Sequence, residues 1–263
     1  MKPDVQAYLD RIGYGGSTAP NAETLAALQY AHLHAVPYEN LDLIRGIPLS
    51  LAIDRLYDKI VLRRRGGYCF EVNALFGWLL AELGFEVTNL FARFWRGEPN
   101  PPPMLRHHVL KVKADGAYYL CDVGVGGIIP RYPVVMAEHL EQPQGHENYR
   151  LVRDDSFGWF LQEWKDEDWK PIYSFTEQPA LPVDYAVASF WCEHSPESFF
   201  HRRAMLSLRT ESGRNTVDGD EFRIFSPQGV HVFVPETEEA RREALERYFG
   251  IILPEQAVNS NHA

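Results

Sequence analysis

Arg63-Arg64-Arg65-Gly66-Gly67-Tyr68-Cys69-Phe70-Glu71 is the stretch on which the reading of this chain turns. Its two glycines permit a backbone turn closed to other residues, and a cysteine follows two positions later. From Cys69 onward Val72, Phe76, Leu79, Leu80 and Leu83 recur at spacings of three and four, one face of a helix. Gly84 stops that helix, and Phe85 behind it suits a Schellman-type close. Cys69 is therefore expected to open a buried helix. There the positive end of the helix dipole and three upstream arginines would favour its thiolate. A free cysteine is more often a small buried hydrophobe. The glycine turn, the helix start and the cationic approach together argue for a reactive thiol.

On the N-terminal side, Val5, Tyr8, Leu9 and Ile12 form a short amphipathic stretch ending near Gly13. Asn21 is placed as N-cap of a helix through Leu25, Leu28 and Ala31 that ends at Pro37. Ser50 is expected to cap another, carrying Leu56 and Ile60 inward. Between them Val36–Asp42 reads as a polar loop with two carboxylates. Surface turn chemistry would explain it, or Glu39 pairs with an arginine of the 63–65 run and holds the cysteine loop.

After Gly84 the period changes from helical to alternating. Glu86–Trp95 reads as a strand, Gly97–Pro103 as a proline-rich loop, and His107–Ala114 and Ala117–Val123 as strands flanking the Asp115-Gly116 hairpin turn. Val123-Gly124-Val125-Gly126-Gly127 is a glycine-rich corner, and further strands are expected at Tyr149–Arg153, Gly158–Trp164 and Pro171–Phe175. Residues 85–190 thus read as an antiparallel sheet or small barrel. Beyond them, Ser195–Phe200 is expected to start a short helix. Ala204–Arg209 and Phe222–Phe225 read as strands, and Glu236–Tyr248 as a helix closed by Gly250. No internal repeat or long linker interrupts the chain.

The 263 residues are 45% hydrophobic, enough for a sizeable core. A net charge of −10 speaks against nucleic acid or an anionic membrane as partner, and an anionic ligand would need local cations. Met1-Lys2-Pro3-Asp4 lacks the apolar core of a signal peptide, and no apolar run reaches the length of a membrane span. The three cysteines, Cys69, Cys121 and Cys192, fit neither a disulfide framework nor a metal site. The expectation is a soluble cytoplasmic protein.

A nucleophilic cysteine needs a base and a group that orients the base. The Asp115-Gly116 turn chooses among the ten histidines. A two-residue turn pairs Ala114 with Ala117 and, continued, sets Asp122 opposite Val109. His107 shares that face and becomes a diagonal neighbour of Asp122, about 7–8 Å away at Cα, within reach of a hydrogen bond. His108 points to the other face beside Leu110, Val112, Tyr119 and Cys121, the place of a core histidine. A bulged three-residue turn would exchange the two. The triad read from the residues is Cys69, His107 and Asp122.

The Arg-Gly-Gly-Tyr-Cys-Phe-Glu block at 65–71, Val36–Asp42, the His107…Asp122 spacing and the step from Asp122-Val123-Gly124 into Gly126-Gly127 resemble the arylamine N-acetyltransferase family. The last third matches loosely, through His194–Phe199 and Tyr248-Phe249-Gly250. The resemblance implies an α+β protein: a helical bundle over 1–84 carrying the cysteine, a central antiparallel β-barrel over 85–190 carrying His107 and Asp122, and an α/β lid over 191–263. Its Cys-His-Asp core would be arranged as in papain-like and transglutaminase-like enzymes. It further implies ping-pong transfer of an acetyl group from acetyl-coenzyme A to arylamines or arylhydrazines, with no permanently bound cofactor and no metal. Expected donor contacts are Gly124, Gly126 and Gly127, the acceptor pocket is expected at Tyr68, Phe70 and Val125, and Glu39 and Arg64 are expected as a supporting ion pair. Monomer and homodimer both stay open. Two departures bear on selectivity: Val125 stands where the family commonly has Phe, and Phe199 where it usually has His. Rival readings are an amide synthase of antibiotic biosynthesis, a transglutaminase- or peptidase-like hydrolase, and a catalytically silent binding domain.

Overall fold

The first two helices are firmly capped. In the computed structural model, which describes residues 2–98, 101–127 and 129–253, α1 (Val5–Arg11) and α2 (Ala22–Ala35) start at Asp4 and Asn21. The side-chain oxygens of those caps accept from the N–H of Ala7 and Thr24. Position 1, positions 99 and 100 of the expected proline-rich loop, and the end of the 191–263 segment lie outside the described residues.

Val36–Asp42 is not a polar surface loop. It holds β1 (Tyr38–Glu39) and enters α3 (Leu41–Ile44), with Glu39 fully buried. Next comes α4 (Ile53–Tyr57), whose N-cap is Ala52 rather than the expected Ser50. It runs into a π-helical turn over Asp58–Leu62 that places Lys59 behind the cysteine loop. Leu56 and Ile60 point inward as expected.

Then α5 (Cys69–Glu82) begins at the cysteine. Gly84, at φ 89°, closes it: Phe85 N–H donates to Leu80 and Gly84 N–H to Ala81, the double bond of a Schellman close. Gly66 and Gly67 serve a different purpose from the one expected. Neither takes a positive φ; the left-handed residue is Arg64, at φ 52°. The two are glycine because of close approach: a Cβ at Gly66 would lie 1.9 Å from the Pro37 carbonyl oxygen, and one at Gly67 2.8 Å from Glu71.

The barrel strands are β2 (Glu86–Phe94), β3 (Leu105–Ala114), β4 (Ala117–Cys121), β5 (Val134–Val135), β6 (Gln142–Gln144), β7 (Glu147–Asp154), β8 (Gly158–Lys165) and β9 (Asp168–Pro179). Their order is β5-β4-β3-β2-β9-β8-β7-β6, antiparallel at every step. The sheet curls into a nearly closed barrel, and the chain after β5 comes back to β7, where His139 N–H donates to Leu151. Asp115 and Gly116 are both left-handed, as a type I′ hairpin turn requires, and Ala114 faces Ala117. That register sends Val109 into the barrel core, while Leu110, Val112 and Cys121 pack with the helices.

The last third contains α6 (Tyr185–His194), β10 (Met205–Thr210), β11 (Gly213–Asp218), β12 (Glu221–Ser226), β13 (Gly229–Phe233) and α7 (Glu238–Phe249). The expected helix at Ser195–Phe200 is instead a series of turns after α6, in which exposed Ala186, Val187 and Phe190 interrupt the apolar period of the buried side. The second sheet runs β1-β10-β11-β12-β13, so a strand from the N-terminal helical region forms its edge. Gly250, at φ 66°, closes α7 as expected.

Candidate active site

Cys69 is the first residue of α5, and its surroundings leave no room to spare. A Cβ at Gly124 would lie 2.6 Å from the Cys69 Cα and 2.6 Å from the Asn73 amide nitrogen. The glycine corner is therefore packed directly on the nucleophile candidate. The thiol is buried and points toward the Arg106 carbonyl at 3.9 Å. Burial pushes its pKa well up, the opposite of the shift expected from an arginine-rich approach. The arginines explain the difference. Arg63 and Arg64 face solvent, Arg63 paired with Asp58, and Arg65 turns away into a buried carboxylate cluster.

His107 Nε2 donates to Asp122 Oδ2 at 2.7 Å, and both groups are buried. The imidazole is edged by the rings of Phe94 and Tyr173. The other Asp122 oxygen accepts from Asn73 Nδ2 at 2.8 Å and from the Gly124 N–H at 2.8 Å. Asn73 also donates to the His108 carbonyl at 2.7 Å and accepts from the Val123 N–H at 2.9 Å. One amide thus ties α5 to β3 and to the segment after β4, fixing how Cys69 and Asp122 sit relative to each other. Reading the sequence missed it. The available signal was a polar residue four positions after Cys69, among the apolar residues of the helix's buried side. His108 takes the other face: its Nε2 meets Asn89 Oδ1 at 2.9 Å, its ring stacks on Tyr185, and burial drives its pKa down to about 3.

Glu39 does not pair with Arg64. Its partner is Arg65, which donates from Nε to Glu39 at 2.9 Å and from Nη2 to Asp42 at 2.8 Å. Lys59 completes the cluster at 2.8 Å from both Asp42 and Glu71. Burial opposes the Lys59 charge, but the carboxylates of Glu71, Glu39 and Asp42 outweigh it and push its pKa up. Three carboxylates meet two cations there, and the fully enclosed Glu71 is pushed up by burial. Glu71 also accepts from the Tyr68 N–H at 3.2 Å, so the cluster grips the start of α5 itself.

Cys69, His107, Gly124, Val125, Gly126 and Gly127 all line one cavity of about 1060 Å³, which reaches across to residues of the second sheet. The Gly124 N–H is engaged by Asp122, whereas Gly126 lies against the Tyr38 ring. Phe199 is on the cavity wall with the Arg106 guanidinium 5.1 Å from its ring centroid. Tyr68 and Phe70, expected at the acceptor pocket, have no exposed surface and stand behind the cysteine in the cluster with Tyr185. Among the described residues no group of His, Cys, Asp or Glu is arranged to hold a metal ion, and no helix is long and apolar enough to cross a membrane.

A family described as N-acetyltransferase matches residues 21–258. An arylamine N-acetyltransferase of Mycobacterium tuberculosis is 38% identical over 95% of this chain and 90% of its own length. The solved structure of the Mycobacterium marinum arylamine N-acetyltransferase in complex with CoA superposes with a TM-score of 0.86 at 37% identity, covering 94% of this chain and 93% of that one. The Salmonella typhimurium arylamine N-acetyltransferase gives 0.90 at 28% identity, covering 100% and 96%.

Proposed function

The chain belongs to the arylamine N-acetyltransferase family, and from that premise we propose that it moves an acetyl group from acetyl-coenzyme A to an arylamine or arylhydrazine through an acetyl-cysteine on Cys69. One observation carries this reading: Cys69 and His107 open onto the same cavity, with His107 held by Asp122 from behind. The complex of the Mycobacterium marinum relative with CoA supports the choice of donor.

Because Nε2 is committed to Asp122, Nδ1 of His107 is the atom that takes the thiol proton. A buried thiol does not ionise alone, so the thiolate arises only as one half of a thiolate–imidazolium pair, with the Asp122 carboxylate stabilising the cation. The thiolate attacks the thioester carbon, and coenzyme A leaves with the proton from His107. The amine then attacks the acetyl-cysteine, His107 accepts the amine proton, and the Cys69 thiolate departs. The first half-reaction leaves the acetyl-cysteine beside a neutral imidazole and the second restores the thiolate–imidazolium pair; because coenzyme A leaves before the amine reacts, the cycle is ping-pong. Backbone N–H groups at the start of α5 are the oxyanion donors in this scheme. Gly126 and Gly127 give the donor close access to the backbone.

Mass spectrometry after mixing with acetyl-coenzyme A in the absence of any amine tests the proposal. One added acetyl group, mapped to Cys69 and discharged by an arylamine, is the expected result. Transfer to amine with no labelled cysteine would replace the ping-pong route with direct transfer.

A further inference from the structure

Behind the glycine corner lies a second, smaller cavity of about 220 Å³. It shares Tyr38, Val125 and Gly127 with the large one, so the two are separated by little more than that wall. A single water needs only roughly 10–15 Å³ of such space, so a small polyatomic ion fits easily. Three arginines line it, Arg131, Arg209 and Arg214, against one carboxylate, Glu147. In a chain of net charge −10 this is an unusual local excess of positive charge.

The placement of the arginines is costly as it stands. Arg209 and Arg214 are directly opposed across β10 and β11, so both side chains leave the same face of the sheet. Like charges in that relation repel. Arg209 is compensated: it reaches both oxygens of Glu147 at 3.3 Å and donates to the Ile129 carbonyl at 2.7 Å. Glu147 is then fully engaged, since Arg131 Nε stands 3.6 Å away and the Tyr149 hydroxyl donates at 3.0 Å. Among the described residues no carboxylate forms an ion pair with Arg214 in this way. Its Nε is buried without a hydrogen-bond partner, a state that native interiors rarely tolerate. Burial, then the charges of Arg209 and Arg96, push its pKa down against the opposing pull of Glu147 and Glu163.

We propose that this smaller cavity is a binding site for a small free oxyanion, of the chemistry of inorganic phosphate or sulfate, held by Arg214 with Arg131 and Arg209 beside it. A tetrahedral anion offers a guanidinium the paired oxygens it binds best, and it converts the repulsion across β10 and β11 into two attractions. The site is distinct from the cavity that Cys69 and His107 line, although the corner residues Val125 and Gly127 belong to both walls.

The test is thermal unfolding of the full chain in phosphate-free buffer, titrated with inorganic phosphate at constant ionic strength with chloride as control. Phosphate should raise the midpoint beyond the chloride control, with the logarithm of its concentration above Kd, on the order of 5–10 °C at a hundredfold excess over that Kd. Arg214→Gln should lose that rise while unfolding, without phosphate, at the same or a higher temperature than the parent, because it removes the repulsion. Arg202→Gln, on the large cavity, should keep the rise in full. Acetylation of Cys69 is followed in all three proteins, so a lost phosphate response is separable from a lost fold. A rise no larger than that in chloride, one that survives in Arg214→Gln, or one that saturating coenzyme A abolishes would overturn the proposal; the last would make the cavity part of the donor site.

Discussion

His107 donates to Asp122 with its ring edged by Phe94 and Tyr173, whereas the adjacent His108 stacks on Tyr185 and meets Asn89. His107→Gln should therefore lose nearly all acetyl transfer with the fold intact, and His108→Gln should chiefly lower the melting temperature. Equal loss of activity in both, with unchanged melting, would contradict that division. Val125 is the second residue with a clear consequence. It walls the cavity shared with Cys69 but is also part of the apolar core. On the proposed function, the lack of an aromatic ring at Val125 forgoes a contact worth roughly 0.5–1.5 kcal/mol to an aryl acceptor. Val125→Phe should shift kcat/KM toward small anilines and away from bulky amines, at a packing cost of about 1–3 kcal/mol. An unmoved ratio, with Cys69 acetylated at the parent rate, would remove Val125 from the acceptor pocket.

Two elements meet at the cysteine, the start of α5 and the end of β4, and a buried charge cluster clamps the first of them. Glu39 is fully buried against Arg65, and breaking an enclosed pair costs up to about 3–5 kcal/mol, an upper bound here because Asp42 still pairs with Arg65. Glu39→Gln should lower the melting temperature markedly and slow alkylation of Cys69. Arg64→Ala, at an exposed position, should change stability by no more than about 0.5 kcal/mol. If the two behave alike in calorimetry, the cluster does not hold the loop. The position of Arg65 was accessible to sequence reading only as one of three arginines. Which arginine turns inward is decided by the left-handed backbone at Arg64 and by the contact of Gly66 with Pro37, neither of which has a periodicity.

Across the whole molecule, two buried histidines set the response to acid. Burial holds His32, which bonds Tyr8, and His108 each at a pKa of about 3, while in the unfolded chain both titrate near their ordinary 6.5. The unfolded state then binds more protons throughout the interval between those values. Stability should rise with pH up to about 6.5 and fall below it, approaching about 1.4 kcal/mol per pH unit for each histidine. Asp42 acts in the same direction further into acid, because Lys59 and Arg65 outweigh its burial, depress its pKa and make it lose its partners as it protonates. Urea unfolding at pH 7, 6 and 5 checks this: a flat profile, or one unchanged in His108→Gln, would mean that the histidines are not buried neutral.

The sequence by itself determined the helix that Cys69 opens, its Schellman close at Gly84, the two-residue hairpin at Asp115-Gly116 and hence the face that His107 and Asp122 share. These are local rules: a period of 3.6, a period of 2, and turns that only certain residues can make. It also carried the family, because Arg65–Glu71 is a dense run of specific types. Only the tertiary structure decided that Asn73 braces the site, that Arg65 and not Arg64 meets Glu39, and that Tyr68 and Phe70 stand behind the cysteine. It alone also showed that β1 completes a sheet formed by residues more than 160 positions later. Those facts depend on contacts between segments distant in sequence, where burial and charge partners are set by what packs alongside. The thiol of Cys69 shows the limit most clearly. Its neighbours in the chain suggest a stabilised anion, and its neighbours in space enclose it in a site where burial disfavours the charge.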